Sequence, residues 1–299
     1  MATIKAGKRV SQVAVLLCAI LWSTSGLFIK ILEWNPLVIA GLRSLIAALF
    51  ILLVRGLTQR GGTGGSFKAA LKSVPFWAAG FAYSATMILF VIANKMTASA
   101  NAILLQYGAP IWAALLGWLF AGEKPRAGHW IALVMVMAGL FLFFSDGLVS
   151  GSHTGDLIAV LSGVCFGANS VFLRMGKDGD PAGAMLLAHA ITAVFCLPFI
   201  LIYPPSPSPG AIGALFFMGI LQIGLASILF SYGIQRVRAV EAMLIAMIEP
   251  VLNPVWVLLV TGEKPSLSAL AGGAILITAV AVSACIGGRR WRHERLTPR

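Results

Sequence analysis

A carboxylate in the middle of an apolar run is the first feature of this chain that suggests chemistry. Glu249 lies within EAMLIAMIEPVLNPVWVLLVTGEK (241–264), which is long enough to span a membrane, and Pro250 follows it directly. Pro254 comes four residues later, next to Asn253. A charged side chain at mid-bilayer costs about 2.5–3.5 kcal/mol on insertion scales, so Glu249 is expected to face protein or a water-filled cavity. The two prolines leave backbone carbonyls without helical hydrogen bonds at the same depth, and such carbonyls must also face protein or water rather than lipid.

Two roles for Glu249 stay open. In the first, the carboxylate exchanges protons or binds the ammonium group of a substrate. In the second, it caps freed backbone N–H groups or pairs with a neighbouring helix. Asn253 lies four residues further on and therefore shares a helix face with Glu249. The pattern predicts a functional or structural site at this depth without choosing between the roles.

Other polar side chains also lie inside apolar runs. Arg43 is predicted about five residues inside the outer end of its span, where it either snorkels outward or binds a carboxylate. His189 is either a hydrogen-bonded interior histidine or a proton relay. Trp112, Trp118 and Trp256 are interpreted as packing or lipid-facing residues. Further candidates for the wall of a cavity are Trp22, Ser23, Tyr83, Asn101, Gln106, Tyr107, Asn169, Gln222 and Tyr232.

The elements that carry these residues are predicted membrane helices. The chain is 59% hydrophobic and 11% charged, with a mean hydropathy of +0.92, whereas soluble domains carry about 25% charged residues. The net charge of +12 does not indicate nucleic acid, because the basic residues lie between apolar runs and in the tail. The four cysteines lack metal-type spacing, so neither a disulfide framework nor a zinc site is predicted.

An all-α membrane protein with ten transmembrane helices is therefore predicted. Each span is close to the length of about 20 residues that crosses a hydrocarbon core. The predicted limits are 10–32, 36–57, 73–94, 97–121, 125–145, 155–175, 181–203, 210–234, 238–261 and 266–287. Asn35 and Asp180 each precede a proline, which is typical of an N-cap followed by proline at the first helical position.

The two halves of the chain echo one another. Pro110 and GEKP at 122–125 recur as Pro250 and GEKP at 262–265, both at an offset of 140. Each GEKP predicts a glycine that ends one helix and a proline that opens the next. Pro110, Pro250 and Pro254 are therefore assigned gating or structural roles, as is Arg43 in its snorkelling interpretation.

Further echoes extend the duplication. FVIANKMTASANA (90–102) matches FSYGIQRVRAVEA (230–242) at the same offset, and WSTSGLFIK (22–30) matches FGANSVFLR (166–174) at an offset of 144. Three segments follow from these echoes: a first five-helix repeat at 1–147, a second at 155–288 and a basic cytoplasmic tail at 289–299. Five is an odd number, so the second repeat enters the membrane upside down, and such inverted repeats hold their substrate site at the interface between them.

The distribution of basic residues predicts the orientation. Of the 22 Lys and Arg residues, 18 fall on the side of both termini, and Arg43 lies within a span. The opposite side holds only Lys30, Lys95 and Lys264. Cytoplasmic segments are enriched in Lys and Arg, so both termini are predicted to be cytoplasmic.

The motifs resemble one known family. WSTSGLFIK in the first span, NPLVIAGLRSLIAALF in the second and IEPVLNPVWVLLVTGEKPS near the end are similar to the EamA-type drug/metabolite transporter superfamily, and the resemblance covers nearly the whole chain. It implies a bacterial inner-membrane exporter of small metabolites with a central cavity lined by both halves. Amino-acid exporters, including aromatic ones, are nearest in general build, although the motifs do not select a substrate.

The function predicted is a secondary-type exporter of small organic metabolites that works by alternating access, with amino acids as first choice. The alternatives are an exporter of drugs or cationic solutes that uses Glu249 and, more remotely, a membrane enzyme or scaffold. The sequence contains no HExxH, P-loop or G-x-S-x-G motif, so neither catalysis nor direct ATP drive is expected. The expected partners are a small-molecule substrate and the lipid bilayer, with no nucleic acid, no cofactor and no metal. Ten spans can enclose a cavity, so a monomer suffices as the transport unit.

Overall fold

The computed structural model describes residues 2–24, 28, 32, 34–58, 67–97, 99–147, 152–206, 208–261 and 266–293, which form helices and the turns between them. No strand occurs in these ranges. Seven segments within them are long and apolar enough to cross a membrane, and Leu267–Val282 is a shorter apolar helix. The predicted all-α, multi-pass membrane class is thereby confirmed, while the count of ten spans stays a prediction.

The helices differ in length and in regularity. In chain order they are α1 (Ala2–Trp22), α2 (Pro36–Thr58), α3 (Phe67–Ala70), α4 (Val74–Met96), α5 (Ser99–Gln106), α6 (Ala109–Ala121), α7 (Ala127–Phe144), α8 (His153–Met175), α9 (Pro181–Ile202), α10 (Pro209–Phe217), α11 (Ala226–Ile234), α12 (Ala239–Ala246), α13 (Ile248–Thr261) and α14 (Leu267–His293). A 3₁₀ turn, Ser145–Gly147, follows α7, and a π-helical segment, Met218–Leu225, joins α10 to α11.

Two helix starts follow the predicted capping chemistry. The Asn35 side chain accepts a hydrogen bond of 2.9 Å from the Leu37 N–H, and α2 begins at Pro36. The Asp180 side chain likewise accepts a hydrogen bond of 2.9 Å from the Gly183 N–H, and α9 begins at Pro181. Each cap satisfies an N–H group that the first helical turn leaves without a partner. Both predicted starts are therefore confirmed.

The turn at 122–126 agrees with the prediction at its glycine and differs at its proline. Gly122 adopts the left-handed conformation (φ 63°) at the end of α6, a conformation that glycine tolerates without steric cost. Pro125 was expected to open the next helix, but α7 begins at Ala127. The Arg126 N–H donates a hydrogen bond of 3.2 Å to His129 Nδ1, and the His129 N–H donates one of 2.8 Å to the Arg126 carbonyl, so the first helical turn forms beyond the proline. The second GEKP lies outside the described residues.

Two predicted spans are broken at matching places. The span predicted at 97–121 is divided between α5 and α6, and the span predicted at 238–261 is divided between α12 and α13. A proline clashes with the carbonyl four residues before it, and the residues four before Pro110 and Pro250 are the last ones of α5 and α12. Residues 107–108 and 247 are named the paired helix breaks below.

The strongest packing joins one half of the chain to the other. The most extensive helix contacts are α4 with α8, α7 with α14, and α2 with α9. In each pair one helix comes from residues 1–147 and the other from 155–288. The largest buried apolar cluster also draws on both halves, with Trp22, Tyr83, Phe166 and Phe230 among its members. Side chains near the middle of the bundle are therefore positioned by both halves together.

Candidate functional site

The paired helix breaks meet through Tyr107 and Glu249. Tyr107 is buried just beyond the end of α5, and its side chain interacts electrostatically with the Glu249 carboxylate in the first turn of α13. At the offset of 140, Glu249 matches Ala109 and Tyr107 matches Met247. The contact therefore joins positions that are not equivalent in the two halves. It places a carboxylate and a phenol where helix termini leave backbone groups without helical partners.

Helix α1 forms a wall beside this contact. Cys18 is fully buried and lies within electrostatic range of both Glu249 and Tyr83. Trp22, one turn further along α1, has ring centroids 5.6 Å from Phe166 and 5.4 Å from Phe230. The indole nitrogen of Trp22 is buried and has no hydrogen-bond partner among the described residues. Trp22 is thus enclosed in an aromatic cluster and keeps one free donor.

Ser23 ties α1 to the second broken helix. Its hydroxyl accepts a hydrogen bond of 2.8 Å from the Trp256 indole nitrogen in α13 and donates one of 2.6 Å to the Ile20 carbonyl. Trp256 therefore has a specific polar contact in addition to its packing, which its interpretation from sequence did not include. Trp118 is 53% exposed on the bundle surface, as a lipid-facing residue would be.

Arg43 lies inside the bundle. Only 7% of the residue is exposed, so the expectation that its side chain snorkels to the outer surface is wrong. The reason is packing, because α2 lies against α9 and against the π-helical segment at this depth. The guanidinium Nη2 lies 3.4 Å from the Met87 sulfur, and no described acidic residue forms an ion pair with it.

His189 and Tyr83 lie close to this arginine. His189 Nε2 is 2.9 Å from the Ser227 hydroxyl, and the Tyr83 ring meets the imidazole edge-on at 5.6 Å. Arg43 is within electrostatic range of both Tyr83 and His189. Arg43, Tyr83, His189 and Ser227 are named the Arg43 cluster below. The hydrogen bond to Ser227 gives His189 the geometry of an interior, hydrogen-bonded histidine.

Three predicted amides connect the halves. Asn169 Nδ2 donates a hydrogen bond of 3.0 Å to the Ala79 carbonyl, and Gln106 Nε2 donates one of 3.0 Å to the Ser162 hydroxyl. Asn101 Nδ2 lies 3.5 Å from an oxygen of Asp156. Each bond has one partner in α8, from the second half of the chain, and the other partner in α4 or α5, from the first half. These amides therefore hold the interface that would form the cavity wall.

Helix α8 also approaches the first break very closely. A Cβ atom on Gly163 would lie 2.8 Å from the Gln106 carbonyl, and one on Gly167 would lie 2.8 Å from the Ala109 carbonyl. Only glycine permits backbones to come this near, which is how small residues act at membrane helix interfaces. The first break is therefore clamped by direct contact between backbones.

The remaining candidates are distributed differently. Gln222 is buried in the π-helical segment, and its Oε1 has no described hydrogen-bond partner. Tyr232 is 40% exposed and has its ring under the Arg236 guanidinium, so the structure does not bring it into the Arg43 cluster. The side chains of Asn253 and Pro254 lie outside the described residues. Pro110 and Pro250 are buried directly after the two breaks.

All four ion pairs among the described residues lie at one end of the bundle. Arg55 pairs with Asp180 at 2.6 Å and Arg174 with Glu123 at 2.9 Å. Lys8 pairs with Glu241 at 2.9 Å, and His129 lies 3.8 Å from the same carboxylate. Every pair joins a residue of 1–147 to a residue of 155–288. The opposite end of the described structure is linked by hydrogen bonds instead, such as that from Thr97 to Asp156 at 2.6 Å.

Several residues of the site were not identified from the sequence. Ser227 holds His189, Met87 contacts Arg43, Ser162 holds Gln106, and Trp256 holds Ser23. Ser227 and Ser231 lie one helical turn apart and are both buried, a spacing that indicates an interior face. That signal was present in the sequence for Ser227. None was present for Met87, because methionine is common on any apolar helix.

Comparison with known proteins decides the family. The model of the EamA-like transporter family matches residues 10–145 and again residues 153–285. The chain belongs to the EamA-like transporter family. The uncharacterized transporter YwfM of Bacillus subtilis is 29% identical over 199 residues, which is 65% of this chain and 67% of YwfM. An uncharacterized transporter of Archaeoglobus fulgidus is 25% identical over 202 residues, covering 66% of this chain and 72% of that protein.

Longer and structural matches agree with this assignment. The uncharacterized transporter YdfC of Bacillus subtilis is 25% identical over 271 residues, covering 87% of this chain and 86% of YdfC. A protein crystal structure superposes with a TM-score of 0.78 at 21% identity, covering 94% of this chain and 98% of that one. The structural match shows a shared fold. This EamA-like chain is therefore a multi-pass membrane protein of a transporter family, which is not the usual setting for an enzyme.

Proposed function

We propose that this EamA-like transporter exports small organic metabolites across the bacterial inner membrane, with amino acids as first choice. The observation that carries the proposal is the contact between the paired helix breaks. Discontinuous helices form the substrate sites of many secondary transporters, because broken ends present backbone groups and polar side chains at mid-membrane. Tyr107 and Glu249 meet at such ends, one from each half.

The chemistry of the interior favours a zwitterion with an apolar side chain. Tyr83 lies within electrostatic range of a buried guanidinium, Arg43, and of a carboxylate, Glu249. A zwitterion needs one group of each sign, and the aromatic rings around Trp22 suit an apolar side chain. These groups support amino acids, including aromatic ones, as the first solutes to test.

Ten transmembrane helices in two inverted five-helix repeats, with both termini cytoplasmic, complete the proposal. The double match to one family model and the matching helix breaks support the duplication. In the proposed orientation, the four ion pairs lie on the cytoplasmic side. They join the halves, so opening the cavity towards the cytoplasm requires them to separate, as alternating access demands.

Flux measurement tests the function directly. Purified protein in proteoliposomes should move radiolabelled phenylalanine, leucine or another amino acid of a broad panel faster than empty liposomes do. An imposed pH gradient should accelerate this flux if protons are coupled to it, whereas a solute gradient alone should suffice for facilitated diffusion. Absence of movement for every amino acid and metabolite on the panel would remove the proposal.

A second candidate function, export of cationic solutes, is favoured by the position of Glu249 at the break. Flux of a lipophilic cation such as ethidium and of a neutral amino acid should be compared in wild type and Glu249→Gln. Loss of cation flux alone supports the second candidate. Equal loss of both fluxes in Glu249→Gln assigns Glu249 to gating or folding. If neither protein moves the cation and both move the amino acid equally well, the second candidate is excluded.

The native cysteine next to Glu249 provides a test of the ion pairs. With Cys165, Cys196 and Cys285 replaced by serine, Cys18 remains as the only thiol, buried in α1. In inside-out vesicles, a membrane-impermeant maleimide should label it several times faster when Asp180→Ala removes the partner of Arg55. Asp178→Ala changes the same charge two residues away, without a described ion pair, and serves as the control. An unchanged labelling rate in Asp180→Ala would mean that this pair does not close the cytoplasmic side.

A further inference from the structure

Arg43 differs from the other arginines whose contacts the structure describes. Arg55 binds both oxygens of Asp180 at 2.6 Å, and Arg174 binds Glu123 at 2.9 Å together with backbone carbonyls. Arg43 is buried, in contrast to the exposed Arg9, yet no described acidic residue forms an ion pair with Arg43. The fold thus neutralises two guanidinium groups near its surface and leaves one in its interior without an anion.

The described contacts of Arg43 are weak for a group of its kind. Guanidinium has five N–H donors and stays charged in proteins, while a thioether is a poor acceptor. The Met87 sulfur at 3.4 Å is the one hydrogen-bond contact described for it, and its Nε has no described partner. Its electrostatic neighbours, Tyr83, His189 and Cys196, are not acidic residues. A buried charge is ordinarily paired or hydrogen-bonded, so a partner is missing here.

Two further buried polar atoms without described partners lie on elements that pack against α2 or face Arg43. His189 uses Nε2 for Ser227, and its buried Nδ1 has no partner. Gln222 is 2% exposed, and its Oε1 has none. The π-helical segment that carries Gln222 packs directly on α2 at this level, since a Cβ on Gly219 would lie 3.1 Å from the Arg43 carbonyl. π-helical segments occur frequently at functional sites.

We propose that Arg43 binds the carboxylate of the transported solute where α2 packs against α4 and α9. The guanidinium fork matches a carboxylate in two parallel hydrogen bonds, which a lysine or a neutral donor cannot reproduce. The solute then supplies the anion that no described residue of the chain supplies. This inference rests on the proposed function, and it narrows the substrate class to solutes that carry a carboxylate.

Binding to matched pairs of compounds tests the proposal without requiring transport. Purified protein in detergent is titrated, with its thermal unfolding as readout, with phenylalanine and phenylalaninamide, leucine and leucinamide, and benzoate and benzamide. Each amide keeps the shape of its acid and loses only the carboxylate charge. We expect at least one acid to bind about tenfold or more tightly than its amide, the ratio that one charge-assisted hydrogen bond produces.

Variants then assign the preference to Arg43. Arg43→Gln should weaken binding of that acid about tenfold and leave the amide within about twofold, while Arg43→Lys should retain part of the preference. Arg9→Gln makes the same change on an exposed part of α1 and should leave both affinities unaltered. If Arg43→Gln does not fold, Arg43→Lys makes the assignment, because an acid preference that is unchanged from wild type in that variant would remove the role of Arg43.

Three outcomes would overturn the carboxylate site. The first is equal binding of acid and amide, and the second is absence of binding by all three acids. The third is stabilisation by chloride equal to that by the acids at the same ionic strength, which would make the missing partner a simple counter-ion. Failure here is distinguishable from failure of the proposed function. Amino acids that move in proteoliposomes as fast as their amides would keep the export function and remove the role of Arg43.

Discussion

The two broken helices are built alike and held differently. Both break four residues before a proline, and each crosses the first helix of the opposite half: α8 lies against α5 and α6, and α1 lies against α12 and α13. At the offset of 144, Gly163 and Gly167 of α8 match Ala19 and Ser23 of α1. The glycines bring backbones together at the first break, whereas Ser23 holds the second broken helix through a hydrogen bond to Trp256.

This difference separates architecture from chemistry. A proline at the break is common to both halves, so it belongs to the architecture that the two halves share. Glu249 and Tyr107 each occur in one half only, and the hydrogen bond from Trp256 to Ser23 has no counterpart at the first break among the described residues. The first break is held by close contacts between backbones, and the second by a hydrogen bond between side chains. The polar side is therefore where a solute should bind or a gate should open.

The largest effect is expected from filling the clamp on the first break. Gly167→Ala places a methyl group 2.8 Å from two backbone atoms of α6, and overpacking of this kind costs about 1–3 kcal/mol. Thermal unfolding in detergent should show a clear fall in stability. Gly213→Ala in α10 is the matched control, because nothing lies within 4 Å of its Cβ position, and it should be neutral or slightly stabilising. Equal effects of both substitutions would contradict the clamp.

The contact between the breaks should appear as a coupling energy. Tyr107→Phe and Glu249→Gln each remove one side of it, and the double variant should fall short of the sum of the single effects by about 1 kcal/mol, as neighbouring polar groups do. Unfolding of the four proteins under identical conditions measures this. Additive effects would mean that the two side chains do not interact in the folded protein.

A somewhat smaller effect is expected at the contact between α1 and α13. Ser23→Ala leaves the Trp256 indole without its acceptor, which costs about 1 kcal/mol for a typical hydrogen bond. Trp256→Phe should have a similar effect and should make the serine substitution almost neutral. Trp118→Phe, on the exposed surface, is the control and should change the unfolding temperature little. A large serine effect that persists in Trp256→Phe would contradict the assigned contact.

The smallest effect is expected at the outer ends of α7 and α14. Hydrogen bonds from Ser266 and Ser268 hold the pKa of Asp146 below its usual range. A carboxyl group whose pKa is lowered by folding stabilises the protein above its unfolded pKa and loses that contribution as the pH falls through the folded value. Ser268→Ala should therefore reduce stability slightly at neutral pH and not at strongly acidic pH. A loss of the same size at both values would exclude the ionised form as the cause.

The fold could be predicted further than the site. Hydropathy predicted the membrane helices, and two Asx–proline pairs predicted helix starts correctly, because both signals are local and strong. The helix breaks follow from proline sterics, although both spans were predicted as continuous. Arg43 was placed at the surface because its position along α2 is near one end. Its burial depends on α9 and the π-helical segment, which lie more than 130 residues away in sequence and leave no mark on the residues around Arg43.

The partners of the polar residues could not be predicted for a similar reason. His189 meets Ser227 and Gln106 meets Ser162 only because α9, α11, α5 and α8 pack in a particular register. A single sequence states which side chains need partners and does not state which ones they find. Most of the predicted cavity residues therefore lie inside the bundle, as predicted from sequence, while their hydrogen-bond partners are visible only in the structure.

The arrangement of the ion pairs limits which substitutions can accumulate during evolution. In the pairs of Lys8 with Glu241 and Arg55 with Asp180 the positive partner lies in the first half, and in the pair of Arg174 with Glu123 it lies in the second. A substitution that removes a charge from one half therefore leaves an unpaired charge in the other. Neither half can therefore change its charges at this end independently of the other. Homologous proteins should consequently show paired substitutions at positions 55 and 180 and at positions 123 and 174, each change in one half accompanied by a compensating change in its partner.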